Sequence, residues 1–106
     1  MSLDLQTLRT ANLKRCEESF GMHGGLDGWS EMEWGCAAAG EMGELCNLLK
    51  KRGRGEDISI GEVMKEVADV IIYLDLLAAK LHVHLSGPIR DKFNEVSDRV
   101  GSAVKL

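Results

Sequence analysis

Apolar residues along this chain recur at three- and four-residue intervals, not in the alternation of a half-buried strand. Leu3, Leu5, Leu8, Ala11, Leu13 and Cys16 predict a first helix from Leu3 to about Ser19. Phe20 to Gly28 holds four glycines in nine residues, which predicts a mobile loop. Ser30 and Glu33 have the spacing of a capping box, so a second helix is expected from about Glu31 to Lys51. Its last turn carries Lys50, Lys51 and Arg52, cations suited to the negative end of the helix dipole. Gly53 is placed to end it.

Ser59 and Glu62 form a second capping box after a short charged loop. The helix they open, from about Ile60 to Val83, is the most apolar segment. Its expected core stripe is Val63, Val67, Val70, Leu74, Leu77, Ala78 and Leu81, with Asp75 pointing to solvent. Ser86-Gly87-Pro88 breaks the pattern, with the chain's only proline placed to open a last helix over Ile89 to about Val100. Phe93, Val96 and Val100 form its apolar side, and Gly101 to Leu106 reads as a loose tail. The pattern therefore predicts a single all-α domain over residues 1–106, with four helices joined by short loops.

One stretch conflicts with this patterning. Glu41 and Glu44, in Gly40-Glu41-Met42-Gly43-Glu44, share a helix stripe with Trp34, Ala37, Ala38, Leu45 and Leu48 at about 100° per residue. Glu66 and Asp69 repeat the three-residue spacing on the next helix, where Glu62 and Tyr73 lie on the same face. Two antiparallel helices joined by the 52–58 loop can bring Glu41, Glu44, Glu66 and Asp69 together. A buried carboxylate without compensation costs several kcal/mol, against about 5–15 kcal/mol of net stability for a domain. Such a cluster calls for positive charge. Either basic side chains such as Lys65, Lys92 or Arg99 pair with it, or a hard divalent cation binds. All-oxygen ligands favour Mg²⁺, with Mn²⁺ possible. The glycines at 40 and 43 give clearance for a ligand or for a neighbouring helix.

Charge and composition narrow the partners. A net charge of −4 argues against a nucleic-acid surface. No stretch approaches the ~20 apolar residues of a membrane span, and the first ten residues carry no apolar signal core. Three cysteines, Cys16, Cys36 and Cys46, have no metal-like spacing and fit reduced thiols, so the expected location is cytoplasmic. His82 and His84 diverge on a helix and read as a solvated helix end, while His23 in the glycine loop is a candidate to touch a ligand. No Walker-type glycine loop or nucleophilic triad is present.

The ordered set of motifs resembles the MazG-like, all-α nucleoside triphosphate pyrophosphohydrolases. It comprises Trp29-Ser30, Gly40 to Leu45, Lys50-Lys51, Glu66 to Leu74, and Lys92 to Arg99, and it spans roughly 29–101. The resemblance implies a four-helix MazG-like bundle assembled as a homodimer or homotetramer, with sites completed between subunits. It also implies Mg²⁺-dependent hydrolysis of a nucleoside triphosphate substrate to the monophosphate and pyrophosphate, in nucleotide pool sanitation or control. By position, Glu41, Glu44, Glu66 and Asp69 would hold the metal, with Glu41 or Glu44 also acting on the water. Lys92 and Arg99 would face phosphates, helped by Lys51. Tyr73 would sit near the sugar, and Trp29 and Trp34 would line the base pocket. Val96 stands where some members have an asparagine, so base preference does not carry over. Two other classes compete. A non-catalytic helical oligomerisation or binding module would hold the acids in ion pairs. A di-metal redox bundle would need Glu-x-x-His pairs, which are missing here.

Overall fold

The computed structural model describes residues 2–19 and 24–106, and all regular structure among them is helical. Four α-helices follow one another: α1 (Leu5–Ser19), α2 (Glu31–Gly53), α3 (Ile60–Lys80) and α4 (Ser86–Val100). A single 3-10 turn, Gly25–Gly28, precedes α2.

Both capping boxes form. The Ser30 hydroxyl accepts from the Glu33 amide at 3.1 Å, and the Glu33 carboxylate accepts from the Ser30 amide at 3.2 Å. Ser59 and Glu62 repeat the exchange at 3.0 and 2.7 Å. This satisfies two otherwise orphaned amides at each helix start. It also takes Glu62 out of the acidic face and uses it as a cap. The α2 helix runs two residues past its expected end. Gly55, not Gly53, takes the left-handed conformation (φ 88°), and the Gly55 and Glu56 amides close the turn on Arg52 and Lys51 carbonyls.

α2 and α3 form an antiparallel hairpin, and α1 packs across α3. The core centres on Cys16, Trp34 and Leu76, with Leu26, Trp29, Tyr73 and Leu77 packed around them. Residues 24–28 were expected to move freely, yet three elements pin them. Glu17 of α1 accepts from the Leu26 amide, the Trp34 indole N–H donates to the Leu26 carbonyl at 3.0 Å, and Lys80 of α3 pairs with Asp27 at 3.3 Å. Gly25, at φ 66°, lies so close to the Glu17 carboxylate that an added Cβ would stand 2.6 Å from it.

The expected core stripe of α3 is corrected. Asp75, Leu76, Ala78 and Ala79 are the buried residues, while Leu74 and Leu81 are exposed. Away from the face that carries Lys65, Glu66 and Asp69, α3 is apolar on most sides. Its own chain covers one side and leaves Ile60, Met64, Ile71 and Leu74 facing outwards. Asp75, expected in solvent, is 1% exposed. Arg9 pairs with it through Nε and the terminal nitrogen, at 3.1–3.2 Å. The Asn12 amide donates to it at 3.1 Å and to the Ile72 carbonyl at 3.0 Å.

α4 packs substantially against none of the other helices. The radius of gyration, 16.3 Å, exceeds the roughly 13 Å typical of a compact chain this long. Within one chain, then, the four helices do not close into a bundle. The tail expected to be loose is instead tied to α4: the Asn94 side chain exchanges hydrogen bonds with the Leu106 backbone, and Lys105 pairs with Asp98.

Candidate metal centre

Glu41 on α2 and Glu66 and Asp69 on α3 each direct a carboxylate oxygen into one spot, with the three oxygens within 4.8 Å of one another. The two helices bring them together because both pairs fall on the facing sides of one hairpin. Glu44, one turn beyond Glu41, is exposed at the rim of this group. Its charge and its carboxyl contact are felt by both Glu41 and Glu66.

The electrostatics are those of an uncompensated acidic cluster. Burial, then the charges of Glu44, Asp69 and Glu66, raise the Glu41 carboxyl above its ordinary value of 4.5. Burial, then Glu44 and Asp69, raise Glu66 in the same direction. One oxygen of Glu66, Oε2, is buried without a hydrogen-bond partner. Two carboxylates in contact are both acceptors unless one holds a proton, so they cannot satisfy each other. Among the described residues, ion pairs join Arg9 to Asp75, Arg54 to Glu56, Lys80 to Asp27, Lys92 to Glu95 and Lys105 to Asp98. None reaches the four acids, so the pairing with Lys65, Lys92 or Arg99 considered above does not form within the chain. A hard cation fits this donor set: oxygen ligands only, net negative, with one buried oxygen lacking any donor.

The remaining candidates are placed unequally. Tyr73 is half-buried one turn after Asp69. Burial and the charges of Glu41 and Asp69 raise its phenol, while Arg15 of α1 opposes them. Arg15 is a nearby cation that no motif had marked. Trp34 is 2% exposed, tilted against Trp29 at 4.6 Å and Tyr73 at 6.3 Å, and has no ring face open to a base. It supports the site from the core, and Trp29 is the more accessible of the two tryptophans. Lys51 is exposed about two turns beyond Glu44. Lys92 and Arg99 lie on the detached α4, and Lys92 there contacts Glu95 at 3.3 Å. Among the described residues, nothing approaches an added Cβ at Gly40 or Gly43 within 4 Å, so their packing does not require either glycine. His23 lies outside the described residues. His82 and His84 do not converge on a metal: His82 is exposed, and the His84 ring turns to the backbone of Ser86.

A pH prediction follows from the raised carboxyls. The native state binds protons here more readily than the unfolded chain, so the cluster stabilises at low pH and this contribution is lost as pH rises through the raised values. Glu66→Gln is therefore expected to melt at a higher temperature than wild type at pH 7 without divalent cations. The gap should close as pH falls towards 4.5, the ordinary carboxyl value. Calorimetry of the two proteins across that range checks this, and a gap that stays constant with pH would contradict it.

Comparison with family models, with curated proteins and with solved structures finds no match. Among the described residues, no helix is long and apolar enough to cross a membrane.

Proposed function

We propose that this chain is a divalent-cation-dependent nucleoside triphosphate pyrophosphohydrolase of the MazG-like type. The observation that carries the reading is the unpaired carboxylate cluster of Glu41, Glu66 and Asp69, with Glu66 Oε2 buried and lacking any donor. A non-catalytic module with its acids in ion pairs is less well supported, because among the described residues no cation pairs with them.

Mg²⁺ held there would offset the charge of the substrate phosphates and lower the pKa of a coordinated water. Glu41, Glu66 and Asp69 are the residues that would hold it. Glu44, at the rim and outside that set, would orient the attacking water and take its proton. The water oxygen bonds to phosphorus, the α–β phosphoanhydride breaks, and pyrophosphate leaves with the electron pair. Tyr73 would border the sugar and Trp29 the base, while Gly40 and Gly43 leave the adjoining surface open. The test is incubation with mixed nucleoside triphosphates and Mg²⁺, measuring pyrophosphate against orthophosphate. Pyrophosphate supports the reading. Its absence with every nucleotide, or orthophosphate alone, overturns it. Mg²⁺ should also raise the melting temperature, since a ligand binding only the native state stabilises it.

The cations that would meet the phosphates come from a second copy. Ile89, Phe93, Val96 and Val100 form an apolar stripe along α4, continued by Val104 of the tail, and Val100 is 67% exposed. At about 100° per residue, Lys92 and Arg99 stand along one edge of that stripe. The outward face of α3 is also apolar and uncovered. A chain this small with two uncovered stripes gains most by pairing with itself. Phe93→Asp is expected to convert a homo-oligomer to monomer in sedimentation equilibrium. A wild type that is monomeric at micromolar concentration, or a variant that assembles unchanged, would sink this part of the reading.

A further inference from the structure

α4 is joined to the body of the protein by residues 81–85, and its packing against the body is slight. The first part of that link is fixed. His82 takes the left-handed conformation (φ 61°), the His82 and Val83 amides donate to the Ala79 and Ala78 carbonyls at 3.0 and 2.9 Å, and α3 closes there. Arg9, itself held by Asp75, donates to the Val83 carbonyl at 2.7 Å. Beyond Val83, the start of α4 depends on the next side chain. Leu85, at the N-cap, has no side-chain acceptor, although its carbonyl accepts from the Ile89 amide at 3.0 Å. The Ser86 amide, at the first residue of α4, donates instead to His84 Nδ1 at 3.2 Å.

We propose that His84 is a protonation switch that sets the direction of α4. With Nδ1 accepting, the ring is neutral and its proton sits on Nε2. Nε2 is buried and has no partner, so one hydrogen bond holds the ring in place. A second proton on Nδ1 turns that acceptor into a donor facing the Ser86 N–H. It also sets a positive charge at the positive end of the α4 dipole. The charged groups around the ring are unequal. Arg9 and Asp75 neutralise each other. Arg90 lines a cleft with Ser86 and opposes the new charge. Asp4, at the start of α1, shares another cleft with Ser86 and attracts it. The charged ring leaves Ser86 for Asp4, and α4 loses its fixed direction. This inference stands independently of the proposed activity.

Solution NMR on the full ¹⁵N-labelled chain tests it. Amide exchange of Ser86, corrected for intrinsic rates, and residual dipolar couplings of α4 relative to α1–α3 are measured at pH 7.5 and 5.5. Ser86 protection is expected to fall by about tenfold or more on acidification, with α4 reorienting. His84→Asn, which places an acceptor oxygen near the Nδ1 position and cannot charge, should hold both readouts constant. His82→Asn, compatible with the left-handed backbone, should respond as wild type does. Wild-type protection and orientation that do not change with pH would overturn the switch, and that arm decides even if a variant fails to fold. A response in His84→Asn equal to that of wild type would overturn it too.

Discussion

Arg9→Met is expected to reduce the unfolding free energy by about 3–5 kcal/mol, a large share of what a domain of this size has. The loss comes less from the missing attraction than from what remains. Asp75 is 1% exposed, and without Arg9 the one donor left to it among the described residues is the Asn12 amide, with no cation to offset the charge. The substitution also frees the Val83 carbonyl at the end of α3. Urea unfolding with a fitted slope measures the change. A loss below about 1 kcal/mol would place the pair with exposed salt bridges and refute the argument. The double variant Arg9→Met/Asp75→Leu gives the sharper contrast. Removing both charges should recover much of the loss, because an apolar pair of similar volume does not carry the desolvation penalty.

Glu41→Gln and Asp69→Asn are each expected to lower pyrophosphate release by about 100-fold or more, the scale of losing one group that stabilises developing charge. Both should also lose the Mg²⁺-dependent rise in melting temperature. Neither should unfold the protein, since Glu41→Gln relieves the repulsion of Glu41 by Glu44, Asp69 and Glu66, and Asp69→Asn relieves the repulsion that Asp69 exerts on Glu41 and Glu66. Glu44→Gln separates binding from chemistry. Its carboxylate lies outside the three-oxygen set, so the rate should fall while the Mg²⁺ response persists. Full activity in Glu41→Gln and Asp69→Asn would end the proposal. Loss of activity together with loss of fold would show instead that the acids are structural.

The helices and the acidic pairs were legible for local reasons. Serine three residues before glutamate, at 30–33 and 59–62, specifies a helix start through its own backbone amides, and both starts formed as read. Spacing of three within Glu41-x-x-Glu44 and Glu66-x-x-Asp69 places each pair on one helix face whatever the surroundings. The short loop after α2 forces the hairpin that brings Glu41, Glu66 and Asp69 together.

Asp75 was not legible in the same way, although a carboxylate between Leu74 and Leu76 in the most apolar helix was a signal. Its partner lies 66 positions earlier, on a helix whose docking side no local rule specifies. The α3 stripe failed for a related reason. When a helix is apolar over most of its circumference, as α3 is outside its charged face, periodicity marks that it will be covered but not by which neighbour.

The amino-acid order by itself determined that four helices form, where α2 and α3 start, and that acids from both would meet across a hairpin. These follow from interactions within a few residues, which need no partner from elsewhere. Tertiary structure alone decided that Trp34 is core rather than pocket wall, that Arg9 and Asp75 lock α1 to α3, and that α4 stands away with Lys92 and Arg99 on it. Those outcomes depend on which apolar surface finds which, a competition settled by total burial across the fold and not by any one stretch of chain.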